Sequence, residues 1–149
     1  MLTLENVRVD YVHTAQTTAK ETQVGRAAVK TAKKIQNKPE TLIRIEHGEL
    51  TNSEFGFVNE AAKPPYRVFV TNATLHIENL SNHLSEGSAL VRLTGAFMGT
   101  GDTVISGTFR PEGMTPDFDL AMKIERTKMR AMNDLLRAYG NFDVAAGLF

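Results

Sequence analysis

The sequence contains no cysteine and no tryptophan. Without cysteine, the chain has no disulfide, no thiolate zinc site and no cysteine nucleophile. No apolar run approaches the roughly 18 residues that a membrane-spanning helix requires, so we expect no membrane span in this chain. The stretch that begins at Met1 has neither the charged n-region nor the apolar h-region of a signal peptide, and none is expected there.

The chain also lacks an excess of charge of either sign, because 17 lysines and arginines balance 17 aspartates and glutamates. A nucleic-acid binder needs a basic excess, so we expect no nucleic-acid partner. The balance hides an asymmetry, since residues 14–40 carry six basic and two acidic residues. A length of 149 residues with 42% hydrophobic content is typical of one globular domain or part of a larger one.

The basic segment is rich in alanine, threonine, glutamine and lysine, and Pro39 follows it. This composition predicts a helix over about residues 15–37, and we interpret residues 14–40 as a helical basic insertion between strands. The helix has no Trp, Phe or Leu with which to enter a membrane. It is therefore either a solvated helix or one that contacts an anionic surface through charge alone.

Most of the remaining chain shows the period-2 alternation of β-strands. A switch of parity near Glu5 and Asn6 indicates either a bulge in the first strand or two short strands. The regular spacing of strands and turns predicts a curved antiparallel meander with one apolar face and no long parallel crossover. The glycines of this region mark the turns and bends. Strands are predicted over residues 2–12, 66–80, 89–99, 103–110 and 116–125, and two shorter extended runs over residues 41–50 and 55–57.

A period of 3.6 near the end predicts a short C-terminal helix over about residues 128–139. Thr127 is its candidate cap and Gly140 its stop. The predicted fold class is α+β and mainly β, with residues 1–149 as a single β-rich domain. We interpret it as a fragment of a longer chain.

No residue pattern indicates catalysis. The four histidines His13, His47, His76 and His83 lack metal-ligand spacing, so no metal site is expected, although His47 and His76 could be cross-strand neighbours. Charged residues at 117, 119, 123 and 125 alternate with apolar ones, which a solvated strand face explains better than an acid–base pair. With no nucleophile elbow or phosphate loop, we expect no enzymatic activity and no cofactor.

Three short motifs in the second half follow one another in a characteristic order. The first is I-x-N-L-S at residues 77–81, before two glycine-punctuated strands. The second is M-N-D-L-L-R-A-Y-G at residues 132–140, after an acidic-apolar strand. The third is F-D-V-x-x-G at residues 142–147. Over residues 41–149 the sequence resembles the AsmA-like superfamily, in its TamB-related branch of large bacterial envelope proteins with a domain of unknown function. Residues 14–40 depart from the family's pattern.

The resemblance implies a periplasmic part of a protein anchored in the inner membrane by a helix absent from this sequence. It also implies an elongated β-groove linked to outer-membrane biogenesis and homeostasis and to lipid passage between membranes. The expected partners are lipid acyl chains and neighbouring β-domains of the same full-length protein.

One parity of the long strands supplies the candidate apolar groove lining. The same face could instead be an ordinary core beneath the helices, and the alternative function is a ligand-free structural or interaction module that stacks through sheet edges. The ten candidate lining residues are Leu75, Ile77, Val91, Leu93, Phe97, Ile105, Phe109, Phe118, Leu120 and Met122.

Overall fold

The computed structural model of the protein describes residues 1–15, 44–81, 87–110 and 117–149. These residues form a mainly β structure with one short α-helix, which confirms the predicted fold class. The predicted helix over residues 15–37 and the insertion over residues 14–40 lie, apart from residues 14 and 15, outside the described residues. The strands are β1 (Leu2–Glu5), β2 (Arg8–His13), β3 (Arg44–Asn59), β4 (Tyr66–Ser81), β5 (Ala89–Phe97), β6 (Gly101–Arg110) and β7 (Asp117–Glu125).

The seven strands form one open sheet in the order β1-β3-β4-β5-β6-β7, and β2 also pairs with β3. Strands β3 to β7 are the predicted antiparallel meander. Strands β1 and β2, however, run parallel to β3, so the expectation of a purely antiparallel sheet was wrong. A parallel return needs a connection of about a dozen residues or more, and residues 14–43 supply that length.

A group of asparagines marks the points where the first strands change their alternation. Asn6, Asn52 and Asn72 all adopt the left-handed conformation, with φ of 58°, 47° and 49°. Asn52 donates from Nδ2 to Oδ1 of Asn6 at 2.5 Å, and the register shifts beside Asn52 and Asn72 are those of β-bulges. The parity switch predicted near Asn6 is thereby confirmed.

The bulges keep the apolar residues of these strands on the same side of the sheet. In β3, for example, an even-numbered residue, Leu50, faces this side before the bulge, and the odd-numbered Ser53 and Phe55 face it afterwards. Each of the three stays opposite an apolar residue of β4. We call this side the apolar face and the other side, which carries the charged side chains, the polar face.

The polar face is held at its β2 edge by Arg67 of β4. Its Nε and Nη2 donate to Oδ1 of Asp10 at 2.9 and 2.7 Å, and Nη2 also donates to Glu54 at 2.5 Å. Gly56 leaves the space for this cluster, since a Cβ there would lie 2.0 Å from Asp10 Oδ1. The guanidinium lies 4.6 Å from the ring centroid of Phe69. Arg67 thus ties three neighbouring strands together across β3.

The predicted C-terminal helix is present as a 3-10 helix, Met129–Met132, followed by the α-helix α1 (Asn133–Gly140). It ends at Gly140 as predicted, and Asn141 then takes the left-handed position. Thr127 is not its cap, because Lys128 precedes the 3-10 helix and no side chain caps it. Thr127 is instead fully buried, and its backbone pairs with Phe149 in both directions, at 3.1 and 2.9 Å.

We predict that Asn72→Ala lowers the free energy of unfolding by about 1 kcal/mol, because alanine tolerates a positive φ less well than asparagine. The matched variant Asn72→Gly should cost little, since glycine adopts this conformation freely. Urea unfolding of the two variants measures the difference. Equal losses in both would show that the asparagine side chain, and not the backbone conformation, is what the bulge needs.

Candidate functional site

The candidate site is the apolar face itself, which the strand registers assemble row by row. Leu75, Leu93, Ile105 and Met122 form one continuous cross-strand row. The next row is Ile77, Val91, Gly107 and Leu120, and a third contains Ala89, Phe109 and Phe118. Phe97 lies opposite Val70. All ten residues of the predicted lining therefore lie on one face of the sheet.

Much of this face is open to solvent. Phe118, Leu120 and Met122 of β7 are 71%, 65% and 59% exposed. The first two strands carry Leu2, Leu4, Val9 and Tyr11, which are also exposed. Within the described ranges only four apolar residues are buried, namely Tyr66, Ala73, Ala89 and Met98. An exposed and contiguous apolar surface of this kind indicates a binding or interaction surface.

One end of the apolar face is covered by α1. Tyr139 of α1 packs edge-on against Tyr66, with the ring centroids 5.7 Å apart. The ring centroid of Tyr66 lies 6.4 Å from that of Phe57, and the ring of Phe57 stacks on Tyr11 of β2 with the centroids 5.9 Å apart. This aromatic row closes one end of the face, while the lining rows through Leu75 and Ile77 lie farther along β4.

A chain of hydrogen bonds runs beneath α1. Asn59 Nδ2 donates to the hydroxyl of Tyr66 at 3.2 Å, and the hydroxyls of Tyr66 and Tyr139 lie 3.0 Å apart. The Asn59 side chain is fixed in turn, since its Oδ1 accepts from the backbone N–H groups of Ala61 and Ala62. The hydrogen bond to Tyr66 raises the pKa of Tyr139 above its ordinary value of 10.0, because it favours the neutral hydroxyl.

We predict that the hydrogen bond between Tyr66 and Tyr139 makes the free energy of unfolding fall as the pH rises into the alkaline range. A raised pKa in the folded state means that the stabilisation is complete below the unfolded pKa and is lost as the pH rises through the folded pKa. Tyr139→Phe should therefore unfold more easily at neutral pH and lose less further stability under alkaline conditions. Urea unfolding along a pH series tests this. A mutant curve parallel to that of the wild type over the whole series would contradict it.

The middle of the face contains a close approach of β5 to the bulge in β4. Thr71 and Thr74 flank two residues of β4 where β5 has only Gly95. A Cβ on Gly95 would lie 2.5 Å from Val70 Cγ1 and 2.9 Å from the carbonyl oxygen of Thr71. Only glycine allows the strands to pair this closely here.

We predict that Gly95→Ala lowers the free energy of unfolding by about 1–3 kcal/mol through overpacking. Gly107→Ala is the matched control, because its Cβ would meet Leu120 Cδ1 and the Asp119 carbonyl oxygen at an ordinary 3.7 Å. Thermal and urea unfolding of both variants provide the measurement. Similar losses for the two would refute the steric account and leave only the strand propensity of glycine.

The polar face carries two of the histidines considered as metal ligands, His47 and His76. Strands β3 and β4 do pair, but His47 lies opposite Glu78 and His76 opposite Glu49, so the two histidines are not direct partners. A shallow concavity of about 330 Å³ lies on this face beside His76 and Arg92. No group of three His, Asp or Glu residues that could hold a metal ion occurs in the described part of the chain.

The remaining candidates are His13, His83 and the charged residues of β7. His13 lies on the apolar face, where its ring stacks on Phe57 at 6.2 Å. The charged residues Lys123 and Glu125 of β7 pair with each other at 2.9 Å and are solvated, as the alternation predicts. His83 lies outside the described residues. Among the described helices, none has the length and hydrophobicity to cross a membrane.

Sequence analysis did not find the Arg67 cluster or the tyrosine contact under α1. Both join residues more than fifty positions apart, and only the strand order brings them together. A partial signal existed for the aromatic row, since Tyr11 and Phe57 share the apolar parity of their strands. No comparable signal links Tyr139 to Tyr66.

A scan against protein-family models and searches of curated proteins and of solved structures found no match to this chain.

Proposed function

We propose that the apolar face holds lipid acyl chains and that the chain acts without enzymatic chemistry. The observation that carries this proposal is the exposure of apolar side chains along β7 and along β1 and β2, at the two sides of the same face. Each methylene transferred from water to such a surface contributes about 0.8 kcal/mol. An acyl chain of ten or more methylenes therefore has a substantial driving force to lie on it.

The dimensions of the face suit such a ligand. Strand β5 has nine residues, which at about 3.4 Å per residue give a length near 30 Å. One acyl chain of a bilayer spans about half of the 30 Å hydrocarbon thickness. A chain lying along the strands thus fits within the length of the apolar face, where it crosses the rows through Leu75 and Ile77 and leaves its head group free to reach solvent.

The biological setting comes from the resemblance to AsmA-like proteins. On that basis we propose a periplasmic role in a bacterial envelope protein, in outer-membrane homeostasis and the holding or passage of lipid between membranes. This proposal is supported by the order of the sequence motifs and by the two-faced β-sheet, which suits a groove.

We predict that Leu120→Glu weakens the binding of a fluorescent fatty acid by about tenfold, since a carboxylate in an acyl site must be desolvated. Ala121→Glu is the matched control, because Ala121 lies beside Leu120 in β7 on the polar face and is also exposed. Fluorescence titration of delipidated protein measures both affinities.

Binding that is absent in the wild type, or reduced equally by the two substitutions, would contradict the proposal. Circular dichroism of each variant confirms that the sheet is intact. Extraction and mass spectrometry of lipid from freshly purified protein provide an independent readout.

A second candidate is a ligand-free interaction module that joins neighbouring β-domains of the same protein through sheet edges. The observation in its favour is the outer edge of β7, which no described strand covers. The fatty-acid titration separates the two candidates, because this module requires no ligand on the apolar face.

A further inference from the structure

We propose that β7 is a self-association edge, at which two copies of this chain pair their β7 strands antiparallel with Ala121 opposite Ala121 of the partner subunit. The pairing would join two seven-stranded sheets into one and place both apolar faces on the same side. This proposal extends the second candidate function, the interaction module, because it specifies a second copy of the chain as the partner that pairs with the β7 edge. It does not depend on acyl-chain binding.

The first argument is that β7 is a complete and regular template. It pairs with β6 over all nine residues from Asp117 to Glu125 without a register shift, and its other side has no partner among the described strands. Natural edge strands are commonly protected by short length, proline, a bulge, an inward-pointing charge or charged side chains such as lysine. Strand β7 has nine residues, contains no proline or bulge, and carries a single lysine, Lys123, whose charge the proposed register pairs with a carboxylate.

The second argument is the exposed apolar row of β7. In a pairing centred on Ala121, Leu120 lies opposite Met122 of the partner subunit, and Phe118 lies opposite Ile124 of the partner subunit. Phe118, Leu120 and Met122 are more than half exposed in the single copy. Apolar side chains that lie opposite each other on neighbouring strands stabilise a sheet. In this register each such pair forms twice, because the twofold axis repeats it.

The third argument is charge complementarity. Asp119 and Lys123 lie two residues on either side of Ala121, so each Asp119 faces Lys123 of the partner subunit on the polar face. Lys123 is 69% exposed and already pairs with Glu125, which leaves its ammonium group able to contact a second carboxylate. The register also sets Asp117 opposite Glu125 of the partner subunit, a like-charge pair confined to the ends of the strands.

The opposite edge of the sheet fits β7 less well. That edge is divided into β1, of four residues, and β2, of six, with Asn6 in the left-handed conformation between them. A nine-residue strand cannot pair continuously with such an edge. The twofold arrangement is therefore favoured over a head-to-tail assembly that would grow into a filament.

The absence of native cysteine allows a direct test by single-cysteine variants of the full chain. Residues directly opposite each other in antiparallel strands have Cα atoms about 4.5–5.5 Å apart, within the range of a disulfide. We expect Ala121→Cys to form a disulfide-linked dimer under mild oxidation. Asp119→Cys alone should not, because its two copies would lie about 14 Å apart along the strands.

A mixture of Asp119→Cys and Lys123→Cys proteins should form the mixed dimer, since these positions face each other in the proposed register. Crosslinking of Asp119→Cys alone as efficiently as Ala121→Cys would overturn the register. Failure of Ala121→Cys to crosslink, together with a monomeric wild type in analytical ultracentrifugation at high concentration, would overturn the dimer. Growth of the wild type into larger oligomers would favour the head-to-tail assembly instead and would also overturn it.

Charge reversal supplies a second test that leaves the apolar row unchanged. Asp119→Lys should raise the dissociation constant of the dimer by about tenfold, because two lysines then face each other at both symmetric positions. The double variant Asp119→Lys with Lys123→Asp should restore dimerisation. A double variant as weak as the single one would contradict the proposed pairing, provided that circular dichroism shows both to be folded.

The fatty-acid titration is run on the same proteins so that the two proposals fail separately. A chain that binds fatty acid but stays monomeric would refute only the dimer. A dimer that binds no fatty acid would refute only the acyl-chain proposal.

Discussion

The two-faced character of this sheet depends on a backbone constraint, the left-handed conformation of Asn6, Asn52 and Asn72. In an uninterrupted strand, side chains alternate between the faces without exception. The apolar residues of the first four strands change parity partway along, and without the bulges half of them would point to the charged side. Asparagine suits these positions because, after glycine, it is among the residues that best tolerate a positive φ.

With the apolar residues on one side, the two faces are stabilised in different ways. The polar face is held by ion pairs, of which the Arg67 cluster with Asp10 and Glu54 connects three strands. The hydrogen bonds of Arg67 and its charge lower the pKa of Asp10, so the pairing of Arg67 with Asp10 is lost as the pH falls and that carboxylate is protonated. The apolar face is stabilised mainly at one end, where α1 contributes Tyr139 to the aromatic row.

The rest of the apolar face is largely exposed, whereas a domain normally buries the apolar face of a sheet beneath a second layer. Lipid would cover this face from above, whereas a second copy would extend it sideways through β7. The two modes use different atoms of the protein, because acyl chains contact side chains and strand pairing uses the backbone groups of the edge. They are therefore compatible in one molecule.

The sequence by itself determined the strands, their alternation, the position of the C-terminal helix and the membership of all ten lining residues in one parity class. Periodicity carries this information because it is local, and the change of parity near Asn6, where β1 ends and β2 follows, was visible for the same reason. The tertiary structure alone decided that β1 and β2 run parallel to β3, that Thr127 is buried against the chain end, and that Tyr139 meets Tyr66. These features depend on contacts between distant segments, and no local spacing encodes which strand or helix becomes the neighbour of another.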